Sequence, residues 1–165
     1  YSTDLYLVFW TIKIISIGNK LNKWESETIN FYLKQLPKNI RVDFVDLKSQ
    51  QNPNYSNEEV IQKESELIDS KISNKDFVIA WDSSGEQISS EAFSKLILQN
   101  REINNISFII GGSFGLSSNI LKRSNQILSA SLLTFPHKLF RLIIVEQIYR
   151  AHTIINNMPY HKWLI

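Results

Sequence analysis

Two short stretches of the chain are apolar almost throughout, residues 76–81 and 106–110. A run of this kind is typical of a β-strand that is covered on both faces, as in a parallel sheet with helices on each side. Three further strand patterns, at residues 12–17, 41–47 and 127–133, alternate with helical patterns. The sequence therefore predicts an α/β fold with a mostly parallel, five- to six-stranded sheet that is flanked by helices.

The helical patterns are bounded by residues that start or stop helices. Ser56 or Asn57 is expected to cap one helix and Ser89 or Ser90 the next, because short polar side chains accept hydrogen bonds from free N–H groups. Pro37 is expected to end the first helix. Five helices are predicted. The first spans residues 22–36, the second runs from its cap at 56 or 57 to about 71, and the third from its cap at 89 or 90 to about 101. The last two span 117–124 and 138 to about 156.

The length of 165 residues suits a single domain. Residues 1–11 lack the basic start and the cleavage site of a signal peptide, and we interpret them as an N-terminal extension or a leader added by cloning. Residues 12–165 are expected to form one domain. The absence of cysteine excludes disulfides and cysteine-bound zinc and fits a reducing compartment. No apolar run reaches the roughly 18 to 20 residues that span a bilayer.

The strand pattern at 106–110 runs into a glycine-rich loop at residues 111–115. Ligands of open α/β proteins bind beyond the carboxyl ends of the strands, where glycine lets the backbone approach closely and take a positive φ. The loop does not match G-x-G-x-x-G, and no GK[ST] follows, so the standard dinucleotide and phosphate-binding loops are excluded. By itself the loop favours a tight strand-to-helix turn slightly over a ligand site.

A second candidate wall consists of the small and apolar residues 128–135, which lead into Pro136 and His137. Unpaired backbone at the end of a strand can bind a flat ligand, and Pro136 makes the exit path rigid. Taken alone, the pattern favours a buried strand followed by a proline turn.

The first half of the last predicted helix has almost no polar face. A helix that is apolar all round is buried, and here the sheet and a second subunit are expected to cover it. Arg141 lies within this apolar run and is a candidate site residue, because a buried guanidinium needs a partner or a ligand. Glu146 and Arg150 are spaced i,i+4 and are at least as consistent with a structural pair as with a role towards the substrate.

All three histidines, His137, His152 and His161, lie in the C-terminal part of the chain. Their spacing matches no zinc site, so no metal is expected. His137, beside the proline turn, is the best candidate for acid–base chemistry or phosphate contact, whereas His152 fits a partly buried helix position. Asp82 is either a base at a strand end or a turn residue.

The charge is distributed unevenly along the chain. Residues 1–100 carry a net charge of −3 and residues 101–165 one of +5. This asymmetry indicates an anionic partner for the C-terminal half. An equally weighted alternative is that the basic residues are scattered over a solvated surface.

A series of motifs follows through the C-terminal half: Gly111-Gly112-Ser113-x-Gly115-Leu116, Ser129-x-Ser131, Thr134-Phe135-Pro136-His137, Arg141, Glu146-Gln147-x-Tyr149-Arg150-Ala151 and Pro159-Tyr160-His161-Lys162. In this order and spacing they resemble the ribosomal large subunit methyltransferase H family. Ile12-Lys13-Ile14 resembles the start of that family, so the resemblance covers about residues 12–162. No single motif is specific, but the set is.

The resemblance implies a SPOUT-type domain with a C-terminal trefoil knot that acts as a homodimer in the cytoplasm. It implies transfer of a methyl group from S-adenosylmethionine to N3 of a pseudouridine in 23S ribosomal RNA of the assembled ribosome. Cofactor contacts are expected at Trp81, which replaces an expected leucine, at Gly111, and at Ala130, Ser131, Leu132, Leu133, Thr134 and Phe135. Catalysis or RNA binding is expected at His137, Arg141, Tyr160 and His161.

The reaction that the resemblance implies is an in-line transfer, with the methyl carbon about 3 to 3.5 Å from the attacking nitrogen. N3 must lose its proton, which requires a base or a cation that stabilises the anion. His137 or His161 is the expected base and Arg141 the expected cation. The alternatives are a SPOUT-like methyltransferase for another RNA and a non-catalytic protein that binds RNA or the ribosome.

Overall fold

A computed structural model of the chain describes residues 9–102 and 105–162, apart from the side chain of His161. Within these residues the strands are β1 (Trp10–Ile17), β2 (Ile40–Leu47), β3 (Phe77–Gln87), β4 (Ile106–Ile110) and β5 (Gln126–Ser129). The helices are α1 (Lys23–Leu33), α2 (Asn57–Asp69), α3 (Ser90–Asn100), α4 (Ser118–Arg123) and α5 (His137–Ile155). A 3₁₀ turn, Pro159–Lys162, follows α5.

The five strands form one sheet in the order β2-β1-β4-β3-β5, and every pair is parallel. This confirms the predicted α/β fold. The two apolar runs that predicted buried strands are β4 in the centre of the sheet and β3 beside it. Since all strands point the same way, their carboxyl ends meet at a single edge, which is where a ligand site is expected.

Helices cover the sheet on both faces. Since alternate residues of a strand point to opposite faces, neighbouring residues lie in different cores. Phe108 of β4 belongs to the larger core, which α1, α3 and α5 cover. The next residue, Ile109, belongs to the smaller core, to which α2 contributes Ile68 and α4 contributes Ile120. This two-sided burial explains why β4 has no alternation of apolar and polar residues.

Side-chain caps fix the starts of four helices. Asn22 and Glu25 form a reciprocal capping box at α1, in which each side chain accepts a hydrogen bond from the other residue's backbone N–H. Ser56, Ser89 and Ser117 cap the following helices. At the two positions where the sequence left a choice, the caps are Ser56 and Ser89. Each cap satisfies a donor that the helix leaves free.

The strand β1 begins at Trp10, two residues before the predicted start, and Trp10 pairs with Ile40. Trp10 is only 6% exposed and lies in the larger core. The interpretation of residues 1–11 as a leader is therefore wrong for Trp10 and Thr11, which belong to the sheet. Residues 1–8 lie outside the described part of the chain, and the single-domain organisation stays a prediction.

The strand β3 continues to Gln87, where the sequence predicted a turn at 82–85. The pairing with β5 shifts register between Trp81 and Glu86, so the extra residues form a bulge. A Cβ at Gly85 would lie 2.6 Å from the backbone carbon of Leu128, and only glycine fits this approach. The glycine that suggested a turn is therefore required by the neighbouring strand.

The predicted last strand is too long, since β5 ends at Ser129 and residues 130–136 are irregular. The first helix ends at Leu33, before the predicted stop at Pro37. None of the described helices is both long and apolar enough to cross a membrane. The trefoil knot stays a prediction.

Candidate active site

A cleft of about 590 Å³ opens at the carboxyl ends of β3, β4 and β5. One side is the glycine turn, residues 111–115, and the other is the segment 130–135 that leaves β5. Trp81 at the bulge of β3 and His137 at the start of α5 complete the lining. The structure thus brings together most of the residues that the sequence assigned to a cofactor.

The glycine turn is closed by a hydrogen bond from the Gly115 N–H to the Gly112 carbonyl at 3.0 Å. Gly115 has φ of 82°, which only glycine adopts without strain. A Cβ at Gly111 would lie 2.9 Å from the Gly115 carbonyl carbon and from the Leu116 side chain. We expected glycine at position 111 because the backbone approaches a ligand there. The structure adds a second reason, since the turn packs so closely against itself that a side chain at this position would collide with Gly115 and Leu116.

The segment 130–135 lies outside the sheet, so its backbone groups have left the strand ladder and are suited to hydrogen-bond a ligand. Ser131 shapes it: its hydroxyl accepts from the Leu133 N–H at 3.0 Å, and its carbonyl accepts from the Ser129 hydroxyl at 3.0 Å. Five of the six predicted contacts line the cleft, namely Ala130, Ser131, Leu133, Thr134 and Phe135. Leu132 does not line it, and its side chain is 88% exposed.

Trp81 forms the apolar floor of the cleft. Its ring lies 5.9 Å from each of the rings of Phe93, Phe108 and Phe140, in tilted or edge-on arrangements that favour aromatic pairs. Its indole N–H is buried and has no hydrogen-bond partner among the described residues. A buried donor without a partner is costly, so this N–H is a candidate contact for a ligand in the cleft.

His137 is the first residue of α5 and borders the cleft. Burial lowers the pKa of its imidazole below the ordinary value, and the positive charge of Arg141 lowers it further. The Glu64 carboxylate and the Gly112 backbone act in the opposite direction without reversing the shift. The imidazole is therefore neutral near pH 7 and can accept a proton.

Arg141 lies one turn after His137 and faces away from the cleft into the protein. It is 2% exposed, and its terminal nitrogens donate to Glu25 at 2.9 Å, to Asp46 at 3.1 Å and to the Asn19 carbonyl at 2.8 Å. Both terminal nitrogens of the guanidinium thus have protein partners, whereas the buried Nε has none among the described residues, and Arg141 does not line the cleft. The positive charge of Arg141 acts on the cleft by lowering the pKa of His137. Its role as the cation that stabilises the anion stays a prediction.

Tyr160 is also held away from the cleft within the described residues. Its hydroxyl donates to Glu146 at 2.9 Å, and the Arg150 guanidinium lies 5.1 Å from the centre of its ring. Glu146 follows His137 by nine residues on α5, about 14 Å along a helix. Burial and hydrogen bonds to Tyr32 and Glu146 raise the pKa of Tyr160, so its phenol stays protonated. The side chain of His161 lies outside the described residues.

The remaining sequence candidates have ordinary structural roles. Arg150 and Glu146 form a close ion pair at 2.6 Å, which is the structural pair that their spacing suggested. Asp82 borders the cleft, but its carboxylate accepts from the backbone N–H of Ser84 at 2.9 Å, as a turn residue does. His152 is partly buried on α5, and burial lowers its pKa. No group of three or more potential metal ligands occurs in the part of the chain that the structure describes.

Glu64 of α2 is the residue near the site that sequence reasoning missed. It is buried beside the glycine turn, and a Cβ at Gly112 would lie 2.7 Å from one of its carboxylate oxygens. A signal for it existed, because Glu64 is spaced i,i+4 from both Val60 and Ile68, two residues on the buried face of α2. Acidic side chains are rarely buried, because burial without partners is costly, so an acid on the apolar face of a helix usually has a role in function or stability.

The chain is similar to known methyltransferases over nearly its whole length. The family model described as "Predicted SPOUT methyltransferase" matches residues 10–161. A relative from Streptococcus thermophilus (strain CNRZ 1066), named "Ribosomal RNA large subunit methyltransferase H", is 41% identical over 157 residues, 92% of this chain and 99% of the relative. One from Clostridium perfringens (strain SM101 / Type A), named "Ribosomal RNA large subunit methyltransferase H 1", is 40% identical over 158 residues, with the same coverage. With its all-parallel sheet and its cleft at the carboxyl ends of the strands, the chain belongs to the SPOUT methyltransferase family.

Proposed function

We propose that the protein is an S-adenosylmethionine-dependent methyltransferase that modifies N3 of a pseudouridine in 23S large-subunit ribosomal RNA. The observation that carries the proposal is the cleft, which the glycine turn and the segment 130–135 line together. The names of the relatives, which describe large-subunit ribosomal RNA methyltransferases, support the substrate. The chain belongs to a methyltransferase family, because the family model matches residues 10–161.

The residues of the cleft fit S-adenosylmethionine. The Trp81 floor offers an apolar surface and an unpartnered indole N–H, and the segment 130–135 offers backbone donors and acceptors outside the sheet. A flat heterocycle between these two surfaces can pack its face against the aromatic floor and form hydrogen bonds from its edge to the backbone wall. When bound, S-adenosylmethionine supplies an electrophilic methyl group on a sulfonium sulfur. We assign its binding to Trp81, Gly111 and the segment 130–135, with Leu132 contributing through its backbone alone.

His137 is the base that we assign to the N3 proton. Its lowered pKa keeps the imidazole neutral at pH 7, which a base requires before it can accept a proton. It is also the first residue of α5, whose N-terminus carries a partial positive charge and no acidic side chain in its first turn. That positive end favours the anion that N3 becomes when it loses its proton. In this proposal the N-terminus of α5 shares the stabilising task that was expected of Arg141.

The surface around the cleft suits RNA and a second subunit. The exposed Lys138 follows His137 directly, and the C-terminal part of the chain is basic overall. Leu132, Leu133 and Leu139 are exposed beside the cleft, where apolar side chains favour a protein partner. We therefore propose a homodimer that acts on ribosomes in the cytoplasm. The trefoil knot, and any role of Tyr160 and His161 towards RNA, belong to the same proposal.

The experiment uses ribosomes from a strain in which the gene is deleted. Primer extension should lose the stop that N3 methylation causes in the large-subunit RNA, because a methyl group on N3 blocks base pairing. Purified wild-type protein with S-adenosylmethionine should restore the stop, and the His137→Gln variant should restore it at least tenfold more slowly while binding the cofactor normally. An unchanged stop in the deletion strain would contradict the assigned substrate.

Two alternatives give different results in the same material. A SPOUT-like methyltransferase for another RNA would bind S-adenosylmethionine in calorimetry and leave the large-subunit RNA unchanged. A non-catalytic ribosome-binding protein would give no heat with S-adenosylmethionine. The cleft favours the catalytic proposal over the second alternative, because a pure binding protein does not need a cleft with an unpartnered buried donor.

A further inference from the structure

Glu64 carries a carboxylate into the interior of the protein, where it is 3% exposed. It lies on α2, between the buried Val60 and Ile68 of the same helix face. A buried charge is costly unless it has partners, so its surroundings decide what it does.

One oxygen of Glu64 is well satisfied and the other is not. Oε2 accepts hydrogen bonds from the Gln50 N–H at 3.0 Å and the Ser49 hydroxyl at 3.4 Å, which tie the loop after β2 to α2. Oε1 is buried and has no hydrogen-bond partner in residues 9–102 and 105–162. It points at the glycine turn, since a Cβ on Gly112 would lie 2.7 Å from it.

His137 contributes a second unsatisfied polar atom near the cleft that the glycine turn lines. Its Nδ1 is buried and lacks a hydrogen-bond partner among the described residues. The negative charge of Glu64 raises the pKa of His137, and a hydrogen bond between His137 and the Gly112 backbone does so too, against the larger effects of burial and of Arg141. Arg141 is itself balanced by Glu25 and Asp46. Glu64 is therefore the negative charge that acts on the imidazole.

We propose that Glu64 is a positioning residue for the cleft: its buried carboxylate supports the glycine turn at Gly112 and provides the counter-charge for His137 when the imidazole takes up a proton. The role rests on the proposed function of His137 as the base. The N3 proton passes to the imidazole, giving an imidazolium that Glu64 stabilises and that later releases the proton to water. A carboxylate near an imidazole stabilises its charged form through the attraction between opposite charges.

The test is Glu64→Gln, which keeps the shape of the side chain and removes its charge. The control is Glu66→Gln on the same helix, because Glu66 is exposed. Titration of the His137 ring by NMR on the full chain, assigned with His137→Gln, measures the effect without any methyl transfer. We expect the midpoint of His137 to move to lower pH by at least about 0.5 units in Glu64→Gln, since removing a nearby opposite charge disfavours the imidazolium. Glu66→Gln should titrate like the wild type.

Methyl transfer to undermethylated ribosomes gives a second readout. The acid limb of the pH–rate profile should move to lower pH in Glu64→Gln, the maximal rate should fall at least tenfold, and the affinity for S-adenosylmethionine should stay the same. Glu64→Asp keeps the charge but withdraws it from Gly112. It should shift the His137 midpoint in the same direction by a smaller amount. Where Glu64→Gln does not fold, the His137 midpoint of Glu64→Asp tests the role of Glu64.

An unchanged His137 midpoint in the folded variants overturns the role of Glu64, whatever the rate. If the wild type transfers no methyl group to ribosomes while the midpoint still falls in Glu64→Gln, the proposed function is wrong and the coupling of Glu64 to His137 stands.

Discussion

His137 and Arg141 lie one turn apart on α5, and the sequence made both of them candidates for the same chemistry. The structure places His137 at the cleft with a polar atom that has no protein partner. It places Arg141 behind the cleft, with both terminal nitrogens bound to Glu25, Asp46 and a backbone carbonyl. The buried Nε of Arg141 also lacks a partner among the described residues, but Arg141 does not line the cleft. The difference teaches that an unpaired polar atom in an apolar helix marks a ligand site only where it borders a cleft.

Arg141→Met gives the largest expected effect and tests the paired side of this comparison. Removing the guanidinium leaves Glu25 and Asp46 without their counter-charge, and breaking a buried ion pair in this way costs about 3 to 5 kcal/mol. Urea unfolding followed by circular dichroism measures the loss. The matched control is Arg41→Met, whose exposed pair with Asp43 should cost at most about 1 kcal/mol. A variant as stable as the wild type that fails to transfer methyl groups would return Arg141 to the site.

Gly111→Val tests the cleft side. The added side chain collides with the Gly115 backbone and the Leu116 side chain, each 2.9 Å from the new Cβ, and so displaces the turn that lines the cleft. We expect the affinity for S-adenosylmethionine in calorimetry to fall at least tenfold, about 1.4 kcal/mol, with Gly111→Ala in between. Ala92→Val introduces the same side chain at an exposed position of α3 and should bind like the wild type. Retained affinity in Gly111→Val would separate the glycine turn from the cofactor.

Tyr160→Phe tests whether the 3₁₀ turn, like Arg141, has a structural role or, like His137, belongs to the cleft. It removes the hydrogen bonds of the hydroxyl to Glu146 and Tyr32 and leaves the pair of Arg150 with Glu146 in place, so the free energy of unfolding should fall by about 0.5 to 1.5 kcal/mol. Affinity for S-adenosylmethionine should not change. Tyr55→Phe, at an exposed tyrosine, provides the control for stability. The opposite pattern, full stability with lost methyl transfer, would place the Tyr160 hydroxyl in the active site.

The pH dependence of stability gives the smallest effect, because the two histidines involved are only partly buried. The folded state lowers the pKa of His137 and His152 from the ordinary 6.5, so folded chains bind fewer protons than unfolded ones below that pH. The free energy of unfolding should therefore decrease as the pH falls from 6.5 through the lowered values. Urea unfolding between pH 7 and pH 5 measures the slope, and His137→Gln should make it shallower. An equal slope in that variant would show that the imidazole is not held in its neutral form.

The walls of the cleft were predictable in part, because their signals are local in the sequence. The glycine turn and the segment 130–135 were found at the expected ends of β4 and β5. The error at β5 arose because small apolar residues fit a strand and a coil equally well, and the missing pairing partner decides between them. Glu64 was missed because its meaning depends on Gly112 and His137, which lie far away in the chain.

By itself, the sequence determined the alternation of strands and helices, the two-sided burial of β4 and most of the helix caps. Hydrophobic periodicity and contacts between a cap and the next turn act over a few residues, so they can be read along the chain. Tertiary structure alone decided that Gly85 must accommodate Leu128, that Trp10 belongs to the core and that Arg141 turns towards Glu25, which is 116 residues away. These choices follow from the packing of distant segments, and a buried charge or glycine takes its role from whichever group the fold brings against it.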